Sequence, residues 1–129
     1  MTKLWINGKW EQGEGSEREI INPAYGEVIE IIRDASPQQV SRAIAAAEEA
    51  FFQTDWRTNV KKRVEVLRRT ADLLMQHAED VAQLETKNTG KPIRESRLDV
   101  EDSATCLQYY ADLVEARTVW TKQMPDGTT

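Results

Sequence analysis

The chain has 129 residues, 40% hydrophobic and 30% charged, with a formal net charge of −5. That length suits one domain, and the acidic balance argues against a nucleic-acid binder, which carries a basic face. A single cysteine excludes an internal disulfide and fits a reducing cytoplasm; no apolar run approaches the roughly 18 residues of a membrane span.

Taken from its start, MTKLWINGKW lacks the apolar core of a signal peptide. Leu4 and Ile6 alternate with Trp5, and Asn7-Gly8 is the pair a two-residue hairpin turn favours because both positions need positive φ. A small hairpin is expected over residues 3–11. Residues 12–16 read as a polar, Gly-rich loop, and Glu19–Ile21 as a short strand. Asn22-Pro23-Ala24-Tyr25-Gly26 is a turn signal, and Val28–Ile32 is a β-rich run.

Ser36-Pro37-Gln38-Gln39 predicts a helix start: Ser36 the cap, Pro37 the first helical residue, Gln39 the reciprocal capping partner. Val40, Ile44, Ala47 and Phe51 then mark one helix face up to about Phe52, and the alanines between them keep the helix slim. Beyond Trp56, the series Val60, Val64, Leu67, Ala71, Leu74, Ala78, Val81, Leu84 keeps helical spacing without a break. A kink near His77 suits a run of that length. Asn88-Thr89-Gly90 closes the helix, with Gly90 in the left-handed conformation and Lys87 and Lys91 near the carbonyl end. Pro92 opens the last helix, which runs to about Thr118 with Ile93, Val100, Ala104, Leu107, Ala111 and Val114 on one face. Gln123–Thr129 reads as a turn or frayed tail. The division is short strands over 1–35, three to four helices over 36–120, and a tail over 121–129: an α-rich α+β chain. Trp5, Trp10, Trp56 and Trp120 are the expected packing anchors.

Chemistry is harder to find. Cys106 falls in mid-helix, and the one histidine, His77, lies far from it in sequence; a nucleophilic thiol needs a base or a helix N-terminus beside it. Glu48/Glu49, Glu79/Asp80 and Asp99/Glu101/Asp102 read as solvated edges. Arg57, Lys61, Lys62, Arg63, Arg68 and Arg69 read as a solvated helix face. HExxH and CxxC spacings are absent, and Gly13-Glu14-Gly15 lacks the third glycine of a dinucleotide fingerprint. From the residues alone, no active site emerges.

The order of small motifs carries more. WINGKW, INPAYGEVI, a capped Ala-rich helix ending AEEAF, RVEVLRRTADLL, VAQLETKNTGKPIRES and CLQYYADLVEA occur in sequence over Leu4 to about Ala116. In that order and spacing they resemble the N-terminal part of NAD(P)-dependent aldehyde dehydrogenases, most of all betaine aldehyde dehydrogenases. The resemblance implies an intact α/β enzyme, with this chain in the first layer of its Rossmann-like cofactor-binding domain. It implies a cytoplasmic homo-oligomer that oxidises a small aldehyde with NAD or NADP through a cysteine thioester, with no nucleic-acid or membrane partner. The family's nucleophile, general base and nicotinamide-binding residues come later in sequence, so no catalytic or cofactor-binding residue carries over and an inactive N-terminal piece is expected. One role does carry over. Many members hold a monovalent cation, K+ or Na+, near positions matching Ile20, Ile21 and Asn88, the first two through backbone carbonyls; Asn88 stands where members often carry Asp. The competing expectation is a free-standing helical interaction module without catalysis. Its motive is the wide apolar stripe along Val60–Leu84.

Overall fold

A computed structural model describes residues 2–116. Trp120, the tail and the final residues of the expected last helix lie outside the described residues. Two antiparallel strand pairs precede four helices. Strands β1 (Leu4–Ile6) and β2 (Lys9–Glu11) form the expected hairpin, with Trp5 opposite Trp10. Asn7 at φ 48° and Gly8 at φ 76° supply the two positive angles that match the strands' twist. Strands β3 (Glu17–Ile21) and β4 (Val28–Arg33) pair in register from Glu17–Arg33 to Ile20–Glu30. The next pair is Ile21–Val28, which leaves Ile29 as the extra residue of a bulge. Asn22 makes the turn between them: its side chain accepts from the Ala24 N–H at 2.9 Å and its carbonyl from the Gly26 N–H at 2.8 Å.

Helix α1 (Pro37–Gln53) starts at the predicted capping box. Gln39 does more than cap. It is fully buried, accepting from the Glu14 and Ser36 N–H groups at 2.9 and 3.0 Å and donating to the Gln12 carbonyl at 2.8 Å. The 12–16 loop is thereby sewn to the start of α1.

The expected run from Val60 to Leu84 is two helices, α2 (Val60–Gln76) and α3 (Ala78–Thr89), jointed at His77. The apolar stripe is therefore broken, not continuous. Val64, Ala71 and Ala82 are buried, but Leu84 is 61% exposed and its side chain faces β3 and β4 instead. Gly90 ends α3 at φ 75°, its N–H donating to the Thr86 carbonyl at 2.9 Å. Helix α4 (Ile93–Ala116) returns antiparallel to α2 and α3: Arg68 reaches Asp112 and Glu115, while Glu79 meets Arg97.

The buried core lies among α2, α3 and α4, and it is small-residued: Val64, Ala71, Ala82, Val100, Ala104 and Ala111, with Ser96 bonded to Thr86 at 2.9 Å. Alanine seams let helix backbones approach closely but remove little apolar area from water. Of the expected tryptophan anchors, Trp5 and Trp10 do not serve there, and Trp56 is half-buried. Trp5 and Trp10 lean on each other, ring centroids 4.8 Å apart and tilted by 60°, and are 58% and 64% exposed. The α1 face marked by Val40, Ile44 and Phe51 is likewise open. The reason is common to both: hairpin and α1 touch each other, and no other described element lies over them.

Candidate functional site

Ion pairs tie the α3–α4 corner together. Lys91 bridges Asp99 on α4 and Glu85 on α3, the latter at 3.1 Å. Those carboxylates, Asp99 first, hold the ammonium above its ordinary range. Its contribution to stability is present at neutral pH and is lost only as pH rises through the elevated value. Lys91, Asp99, Asp102, Ser103, Cys106 and Leu107 line one open groove of about 690 Å³. Sequence reading missed this grouping because Lys91 precedes the helix that carries the rest. Cys106 is exposed, and His77 sits at the α2–α3 joint, 3.9 Å from Asp80. The structure does not bring thiol and imidazole together.

Glu79 has the largest electrostatic shift among the described residues. Two hydrogen bonds from Arg97, then one from Gln83, lower its pKa from an ordinary 4.5 to about 2. A depressed carboxylate stabilises the fold above its unfolded pKa, and that contribution fades as pH falls from 4.5 through about 2. The pair ties α3 to α4 with both side chains about half exposed, so its role is alignment. Arg97→Ala is expected to return the Glu79 titration toward 4.5; a carboxyl ¹³C titration that stays near 2 removes Arg97 as the cause.

Several of the basic residues are engaged by acids or carbonyls. Arg68 pairs with Asp112 and Glu115, Lys62 with Asp55 at 2.7 Å, and Arg63 donates to the Trp56 and Arg57 carbonyls. This is the solvated face the spacing predicted, with ion pairs added to it.

Ile20 and Asn88 do meet. They line a groove of about 260 Å³ between the β3–β4 sheet and α3, with Thr2, Ile29, Glu30, Ile32 and Leu84. The bulge at Ile29 lies on this groove, and the Glu30 carboxylate accepts from the Thr2 N–H and hydroxyl at 2.7 and 2.5 Å. Those bonds, the hydroxyl's first, lower the Glu30 pKa. Ile21 is absent from the lining; alternation along β3 turns its side chain to the opposite face. The amide of Asn88 and the carboxylate of Glu30 are hard oxygen donors, the class an alkali cation prefers. Among the described residues no group of three or more His, Cys, Asp or Glu is placed to hold a metal, and no helix is long and apolar enough to cross a membrane.

Two strand pairs, two helices jointed end to end and a long return helix match one part of an aldehyde dehydrogenase fold. The betaine aldehyde dehydrogenase of Staphylococcus aureus in complex with NAD+ is similar over 95% of this chain and 25% of its own, with a TM-score of 0.85 at 32% identity. The chain belongs to the aldehyde dehydrogenase family, whose model matches residues 10–129. An aldehyde dehydrogenase of Talaromyces stipitatus is 39% identical over 113 residues, 86% of this chain and 22% of that protein. The (Z)-2-((N-methylformamido)methylene)-5-hydroxybutyrolactone dehydrogenase of Acinetobacter baylyi is 40% identical over 114 residues, 88% of this chain and 23% of that protein. The chain thus spans under a quarter of the length of these curated relatives.

Proposed function

We propose that residues 1–129 are the N-terminal part of the cofactor-binding domain of an NAD(P)+-dependent aldehyde dehydrogenase, with betaine aldehyde as the favoured substrate. In the whole enzyme a cysteine thiolate adds to the aldehyde carbon. Hydride then passes from the resulting thiohemiacetal to NAD(P)+, and water releases the acid from the thioester. The enzyme works in the cytoplasm as a homo-oligomer. The observation that supports this reading is the match to the NAD+-bound betaine aldehyde dehydrogenase along nearly the whole chain.

The test is a chimera in which residues 1–116 replace the matching segment of the S. aureus enzyme. The expected result is a folded protein that oxidises betaine aldehyde with NAD+. A folded chimera that binds NAD+ but turns over no aldehyde sinks the assignment.

Ile20, Ile21 and Asn88 are proposed to contribute to a site for K+ or Na+, the isoleucines through their carbonyls. Support comes from the groove shared by Ile20, Asn88 and Glu30. In KCl the chain is expected to melt above its Tm in choline chloride of equal ionic strength, and Asn88→Leu to abolish the difference. Equal Tm values in the two salts for the unsubstituted chain remove the cation.

A second reading, a free-standing interaction module, is favoured by the open apolar faces of α1 and the hairpin. Sedimentation separates the two. A stable 14.8 kDa monomer in solution, from a reading frame that stops at Thr129, favours the module. A frame that continues for several hundred codons favours the enzyme.

A further inference from the structure

We draw no further inference here: the strongest candidate, the apolar groove of about 430 Å³ between the β1–β2 hairpin and α1 lined by Trp5, Ile6, Val40 and Ile44, carries nothing because nothing in the structure shows what covers it.

Discussion

Gly13→Ala is expected to lower the Tm of the chain by roughly 10–15 °C, the equivalent of about 3 kcal/mol. Gly13 is buried in the 12–16 loop, where a Cβ would stand 2.2 Å from the Arg33 carbonyl oxygen and 2.6 Å from that of Asp34. Both obstacles are backbone. A flexible side chain moves aside at little cost, but these carbonyls belong to the end of β4 and the approach to α1. The same joint is held by the Gly15 N–H donating to Asp34 at 2.8 Å, the Asp34 N–H donating to Ser16 at 3.0 Å, and the Gln39 side chain. Moving the loop outward therefore strains three sets of hydrogen bonds together. Gly26→Ala is the control. Its Cβ meets nothing within 4 Å, so only the left-handed φ of 71° opposes it, at a cost of about 1 kcal/mol. If calorimetry finds the two variants equally stable, the close approach at Gly13 does not govern the fold.

That contrast also separates what the sequence discloses from what it conceals. Asn7-Gly8, the Ser36–Gln39 box and Gly90 were legible because each acts through neighbours within a few residues: a turn needs its φ angles, a helix start needs its orphan N–H groups satisfied. The burial of Gln39 was not legible, since its other partners, Gln12 and Glu14, stand 27 and 25 residues away. The kink near His77 was expected from the length of the run; its division into two separate helices was not. No Pro or Gly marks it, and apolar spacing continues across it, yet His77, at φ −110° and ψ 20°, leaves the helical conformation and separates α2 from α3. Leu84 consequently faces Ile20, Ile29 and Ile32, a pairing that periodicity within one segment does not contain. Trp5, Trp10 and the α1 stripe show the remaining limit. A pattern says which face is apolar; only the neighbouring element decides whether that face is covered. Of the site residues, Ile20 and Asn88 came from resemblance, and their meeting in one groove needed the β3–β4 sheet to lie against α3.

The purified chain is expected to reduce no NAD+ or NADP+ with betaine aldehyde, measured by absorbance at 340 nm against buffer. Aldehyde oxidation needs a nucleophile, a base to prepare it and a held nicotinamide to take hydride. Cys106 is this chain's one thiol, and it lies exposed on α4 in an open groove. The groups that share its groove are carboxylates, a hydroxyl, an aliphatic side chain and Lys91, whose ammonium is engaged by Glu85 and Asp99. His77 stands at the far joint beside Asp80. Nothing there resembles a base oriented on sulfur, and an ion-paired lysine accepts no proton at neutral pH. Against the roughly 10⁶-fold or greater acceleration an enzyme supplies, a chain with these parts should be indistinguishable from buffer. Cys106→Ala supplies the decisive second arm. Turnover that appears with the native chain and vanishes with Cys106→Ala makes Cys106 a working nucleophile and overturns the assignment of catalysis to the remainder of the family's fold.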